Sequence, residues 1–289
     1  MKRLWNTFRY TMIRLRGQTL GWGISLALFG MLLLSMYDTI AAQQDQFQEM
    51  IANYPKEFLA FFGGDVNSML TPAGFLGMYG FSMLPLIVGI FAILAGSGLI
   101  AADEERGRLD LIMAHPVGRT GFFYGRILGL FMTTLIIHIL GWLGFSLLLS
   151  RSSIGIGWGQ MAVPFLSLFV QSVLFASLAL LLSLILPSRN LAATLSGGVL
   201  VASYFISSLG FLSEGLETAA EFLPYHYYQT VLSLSELNLV WLFSLFGISL
   251  IMIAAAWLRF TQKDIRLTGE GTWRIPLISK KRSMREVES

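Results

Sequence analysis

The chain contains no cysteine. Disulfides, iron–sulfur clusters and thiolate-held zinc are therefore excluded. Charge is also scarce: Asp, Glu, Lys and Arg make up 13% of 289 residues, against about 25% in soluble domains. The net charge is only +3, so where the charges sit matters more than their sum, and nothing points to a nucleic-acid partner. Several catalytic signatures are absent. There is no Gly-Lys pair for a phosphate-cradling loop, no His-Glu-x-x-His for a metalloprotease and no Gly-x-Ser-x-Gly for a hydrolase elbow. Glu104-Glu105 begins like the Glu-Glu-x-x-x-Arg of intramembrane proteases, but Leu109 stands where the arginine should be.

What the chain has in excess is apolar residues. They account for 55% of the sequence, and the mean hydropathy is +0.66. A water-soluble fold of this length has no core large enough to hold them. They cluster into six runs near spanning length, about 18–38, 75–102, 127–149, 161–186, 191–210 and 239–258. The first run exceeds the roughly 7–15 residues of a signal-peptide core, so it reads as a retained anchor helix. Pro85 predicts a kink in the second span. Small residues in the fifth span suit close helix packing. These include Leu195-Ser-Gly-Gly198, which spells part of an ATPase signature but lies inside an apolar run.

Lys and Arg set the orientation. Segments 1–17, 103–126, 187–190 and the chain from Arg259 onward hold eighteen of the twenty basic residues, and the alternate loops 38–74, 151–160 and 211–238 hold two. The positive-inside rule then expects a multi-pass protein of the cytoplasmic membrane with both termini in the cytoplasm. Residues 1–17 predict an interfacial helix. Leu4, Trp5, Phe8, Met12 and Leu15 fall within an arc of about 100°, and the basic residues take the opposite side. Loop 38–74 has helix-compatible stretches on either side of Tyr54-Pro55. Loop 211–238 combines acids, short apolar stretches and Tyr225, Tyr227 and Tyr228, which reads as re-entrant or interfacial helices. Residues 1–260 read as one transmembrane domain, and 261–289 as a basic tail.

Polar groups within the spans are few. His138 and Gln171 sit inside the third and fourth. An ionisable group in a membrane is a functional candidate by default, yet His138 has no acid or second histidine at helical spacing on its own helix. A hydrogen bond to a neighbouring helix accounts for it equally well. Ser203, Tyr204, Ser207 and Ser208, with His138, are candidate liners of a translocation path, and equally candidate packing groups. An intramembrane enzyme centred on His138 is a distant third reading.

The most informative stretch is Asp-Glu-Glu-Arg-Gly-Arg-Leu-Asp at 103–110, with six charges in eight residues between two apolar spans. Acids open it, as suits a helix N-terminus. Leu109, Ile112 and Met113 share one face, Arg106 and Asp110 stand at i, i+4, and Pro116 ends the run. This predicts a short amphipathic helix across the cytoplasmic mouth. Its mixed charge suits a protein surface better than a lipid one.

Glu105-Arg106-Gly107-Arg108-Leu109, then Pro116-Val117-Gly118-Arg119 and Arg126, resembles the coupling segment in the membrane subunit of type-two ATP-binding-cassette transporters. That family usually shows Glu-x-Gly-Thr-Leu, Pro-hydrophobic-Ser-Arg and Lys, so Arg108, Gly118 and Arg126 are departures. Leu223-Pro224-Tyr225-His226-Tyr227 and Phe260-Thr261-Gln262-Lys263-Asp264-Ile265 also fit its outer and post-span patterns.

The resemblance implies an all-α polytopic permease. It has six spans, an N-terminal interfacial helix, a coupling helix at 103–119 between spans two and three, and re-entrant helices before span six. It further implies two copies of a separate ATPase subunit that bind ATP and Mg, no cofactor in this chain, and a second permease chain, identical or related. Glu104, Glu105, Gly107, Arg108, Leu109, Asp110, Met113, Pro116 and Arg119 would form the contact with the ATPase. Leu109 and Met113 would pack into its groove. The expected cargo is hydrophobic, lipid-like or peptide-like, moved outward by alternating access. The alternative is a mechanotransmission or scaffold subunit that conducts no substrate.

Overall fold

The computed structural model describes residues 2–43, 54–55, 71–114, 118–230 and 237–262. Among these the structure is all helical, and six helices are long and apolar enough to cross a membrane: Leu4–Ala41, Pro72–Ser97, Arg119–Leu147, Trp158–Ile185, Arg189–Ser208 and Leu239–Gln262. In chain order the elements are α1 (Lys2–Ala41), α2 (Pro72–Phe75) running into π-helical turns Leu76–Phe81, α3 (Leu84–Ser97), α4 (Ala101–Glu105), α5 (Leu109–Ala114), α6 (Arg119–Leu147), α7 (Trp158–Ile185), α8 (Arg189–Ser208), α9 (Glu214–Glu221) and α10 (Leu239–Gln262).

Residues 1–17 were expected as a separate interfacial helix. The described part of that segment is helical, but it runs unbroken into the first span. At about 1.5 Å per residue, α1 is about 60 Å long, twice a hydrocarbon core of about 30 Å. Its main packing partner is α6, which lies parallel beside it. A Cβ on Gly125 would meet Leu4 and Thr7, and one on Gly129 would meet Thr11. Further along, a Cβ on Gly141 would meet Leu26, and one on Gly144 the backbone of Ala27. Lipid offers no hydrophobic drive between helices, so such close backbone approach and its dispersion contacts hold them together. Hydroxyls buried in this seam find acceptors on either helix: Thr11 donates to the Thr7 carbonyl at 2.8 Å, and Thr133 of α6 reaches Met12 Sδ at 3.6 Å.

The fourth span, α7, is the most buried and packs on α3, α6, α8 and α10. Its approach to α3 is again at a glycine: a Cβ on Gly96 would strike the Ala176 backbone.

The second span breaks near the expected kink. After the π turns the regular helix is interrupted at Ser82–Met83, and Pro85 falls in the first turn of α3. There its missing N–H costs nothing. The Ser82 carbonyl finds its partner outside the helix, accepting from the Tyr225 hydroxyl at 2.9 Å.

The third span begins at Arg119, eight residues before the expected 127. Arg119 and Arg126 look like surface residues in sequence, but Arg126 is buried inside the bundle. The region before span six contains a 3-10 turn at Gly210–Leu212, the short helix α9 and a second 3-10 turn at Pro224–Tyr227, in keeping with the expected short helices. The helix-compatible stretches flanking Tyr54-Pro55, Pro116, and the tail beyond Gln262 lie outside the described residues.

Candidate functional site

The charged stretch forms an elbow at one end of the bundle. It was expected as one helix and is two, α4 and α5, separated at Gly107, whose φ is +62°. That left-handed conformation favours glycine and ends α4. The Gly107 N–H reaches the Glu104 carbonyl at 2.9 Å, and the Arg108 N–H the Asp103 carbonyl at 2.8 Å. Gly118, with φ +59°, makes the second turn, into α6. Periodicity alone does not register a reversal of this kind, because mixed charges on both sides of Gly107 keep a helical spacing.

Asp103 is the anchor of the elbow. It is 1% exposed, and its Oδ2 accepts from Arg14 Nη1 of α1 at 2.7 Å and also from Arg126 Nη2 of α6. Arg126 is itself 1% exposed. Its guanidinium stacks on Tyr10 and Phe122, with ring centroids at 5.1 and 5.0 Å. One carboxylate thus joins the elbow to the first and third spans, and low exposure strengthens the pairing.

Glu105 points elsewhere. Its Oε1 accepts the backbone N–H of Arg189 at 2.9 Å, and its Oε2 lies 3.1 Å from Arg189 Nε. A negative group therefore meets the N-terminal end of α8, where backbone N–H groups lack helical partners. Arg119 Nη1 donates to the Thr261 carbonyl at 2.9 Å, a cation on the last turn of α10. The elbow and its exit thus touch the first, third, fifth and sixth spans.

Placement corrects part of the expected contact surface. Leu109 is 2% exposed and belongs to the chain's own core, with Ile112 and Met113 packed against it. The apolar stripe faces inward, because its mates are the bundle helices. The apolar residue facing outward is Leu111, at 69% exposure. Arg106 and Arg108 are exposed, and Glu104 and Asp110 are half-buried. Asp103, Arg14, Arg126 and Arg189 were not singled out as site residues. Asp103 opens the charged stretch and Arg126 closes the family motif, whereas Arg14 and Arg189 carry no signal beyond flanking apolar runs.

Four of the five residues offered as path liners share α8, and the fifth, His138, lies apart from them. Ser203 and Tyr204 are buried against the outer element: the Tyr225 N–H donates to Ser203 Oγ at 2.8 Å, and the Tyr204 and Tyr225 rings meet edge to face at 5.1 Å. Burial pushes the Tyr225 phenol well above its usual range, so it remains a donor to Ser82. Ser207 and Ser208 are half-buried on the same helix. His138 lies elsewhere, in the seam between α6 and α7. Its Nδ1–H donates to the Thr134 carbonyl at 2.7 Å, Nε2 lies 3.2 Å from Ser172 Oγ, and its ring meets Phe169 edge to face. The Ser172 hydroxyl hydrogen has two acceptors within reach, Nε2 and the Leu168 carbonyl at 2.8 Å, and these contacts seat the ring within the seam. Among the described residues, no three of His, Asp or Glu form a metal-binding group.

The family model described as ABC-2 family transporter protein matches residues 12–265. The chain belongs to the ABC-2 transporter family. None of the curated proteins compared with it matches. As an ABC-2 permease subunit it is a multi-pass membrane component of a transporter, not a catalytic subunit. The match begins within α1 and covers every described element after it, including the elbow and the outer short helices.

Proposed function

We propose that this ABC-2 permease is the membrane half of an exporter and that the elbow at 103–119 is the point where ATPase force enters. The observation that carries this reading is the pair of acids two residues apart. Asp103 grips Arg14 and Arg126, and Glu105 grips Arg189, so a push on the elbow is delivered to spans one, three and five together. Two copies of a separate ATPase chain bind ATP and Mg and dock from the cytoplasm. A second permease chain, identical or related, completes the path. Both termini lie in the cytoplasm, and the protein sits in the cytoplasmic membrane.

The docking surface is Arg106, Arg108, Asp110 and Leu111, with Glu104 beside them; Leu109 and Met113 support it from beneath. Closure of the ATPase dimer drives alternating access, and the cargo is hydrophobic, lipid-like or peptide-like. The second reading is a mechanotransmission subunit. It draws on Ser203 and Tyr204 being engaged by the outer element and His138 by its own seam, which leaves these candidates without a shared conduit.

The test is reconstitution with the co-purified ATPase. Arg108→Glu combined with Asp110→Lys is expected to abolish permease-stimulated ATP hydrolysis while the melting temperature in detergent is retained. Unchanged hydrolysis would remove the docking assignment. Movement of a fluorescent lipid across the vesicle membrane separates conduction from mechanotransmission.

A further inference from the structure

The arginine-rich end of the bundle holds a cavity behind the elbow. Its volume is about 210 Å³, and it opens between α1, α3 and α6. Arg14, Arg106, Arg126 and Arg189 line it, together with Gln18, and no carboxylate is among its lining residues. Asp103 neutralises part of the cluster through Arg14 and Arg126, and Glu105 does so through Arg189. Four cations against two anions leave two positive charges in excess.

The deepest of these cations has hydrogen-bonding capacity to spare. Arg126 is 1% exposed, yet its Nε and Nη1 have no hydrogen-bond partner among the described residues. Tyr10 and Phe122 cover the guanidinium faces; they attract the charge but accept nothing in the plane of the group. Arg106 has no ion-pair partner among the described residues. A buried guanidinium with unused N–H groups is costly unless a further acceptor meets it. The acceptor best matched to several converging guanidinium groups is a phosphate, which takes two parallel N–H bonds from each fork.

We infer that this cavity binds a phosphate-bearing anion, held by Arg126 from within and by Arg14, Arg106 and Arg189 at the rim. Leu15, Leu94, Ala95 and Leu99 supply the apolar part of the wall, beside Thr11 and Gly98, which suits a headgroup whose phosphate is joined to an acyl chain; free phosphate satisfies the same arginines without using that part. The site shares Arg106 with the proposed docking surface, and retention of the anion is read on the permease without an ATPase, so the two readings fail separately.

Native mass spectrometry of the full chain in detergent tests it, with dioctanoyl phosphatidylglycerol, dioctanoyl phosphatidylcholine and inorganic phosphate as separate probes. Wild type is expected to retain one phosphatidylglycerol. Arg106→Gln, at an exposed position where folding is not at stake, should weaken retention at least tenfold, and adding Arg189→Gln should weaken it further. Glu105→Gln removes an opposing charge and should strengthen it. Phosphatidylglycerol bound with this arginine dependence identifies a lipid headgroup. Inorganic phosphate bound with the same dependence, without phosphatidylglycerol, identifies a soluble anion. Equal retention of both lipids irrespective of the arginines, or no binding of any probe, overturns the inference.

Discussion

Asp103 and Arg126 lie 23 residues apart and form an ion pair in which neither side chain is more than 2% exposed. The same carboxylate oxygen holds Arg14 of the first span at 2.7 Å. A pair this deeply buried is costly to break, because the surviving partner keeps its charge where water cannot reach it. Asp103→Asn is therefore expected to destabilise the protein by about 3–5 kcal/mol, seen as a large drop in melting temperature in detergent. Asp103→Leu with Arg126→Met removes both charges, and its melting temperature should lie closer to wild type than that of Asp103→Asn. A double variant less stable than the single one would contradict this account of the pair.

Glu105 and Arg189 behave differently because both side chains are more than a third exposed, at 39% and 38%. Such pairs contribute about 0–1 kcal/mol, so Glu105→Lys should barely move the melting temperature. It should nevertheless reduce ATP hydrolysis stimulated by the permease, since the elbow loses its grip on span five. Glu105→Lys with Arg189→Glu should restore stimulation. Failure of the charge swap to rescue would count against transmission through this contact.

The parallel seam of α1 and α6 rests on glycine. Gly144→Val would drive a side chain into the Ala27 backbone, with a cost of about 1–3 kcal/mol or more, since backbone cannot step aside. Gly121 lies on the same helix with nothing within 4 Å of an added Cβ, so Gly121→Ala should be neutral or slightly stabilising. Thermal melts of the two variants side by side check the seam directly.

The outer element is fastened to the break in span two by one hydroxyl. Tyr225→Phe removes the bond to the Ser82 carbonyl and should cost about 0.5–1.5 kcal/mol. Hydrogen exchange around Ser82 and Met83 should accelerate in that variant while the basic end of the bundle is unaffected. A uniform change over the whole chain would argue against a local fastening.

The spans were legible because apolar runs of spanning length leave few alternatives, and the alternation of basic segments anticipated which ends meet. Arg14, Asp103, Arg126 and Arg189 do converge at one end, while Asp38 meets Ser153 and Tyr225 meets Ser82 away from it. The character of the elbow was legible; its geometry was not. Gly107 reads as a tolerable helix residue until its φ is known, and Leu109 has a helical stripe whichever way the stripe faces. Asp103 could not be recognised as an anchor, since Arg14 is 89 residues away and Arg126 looked like the edge of a loop. The continuity of the first helix is not legible in residues 1–41, because the contacts along it are made to glycines of another helix.

The most direct test of the central claim uses the absence of cysteine. A Leu111→Cys protein carries a single thiol on the outward side of the elbow, and Phe222→Cys, at 83% exposure, carries one beyond α9 near the other end. Each is co-expressed with the ATPase chain that purifies with the permease and treated with a short thiol-to-amine cross-linker. The account predicts a permease–ATPase adduct from Leu111→Cys that strengthens with ATP, and none from Phe222→Cys. An adduct from Phe222→Cys with none from Leu111→Cys would contradict it.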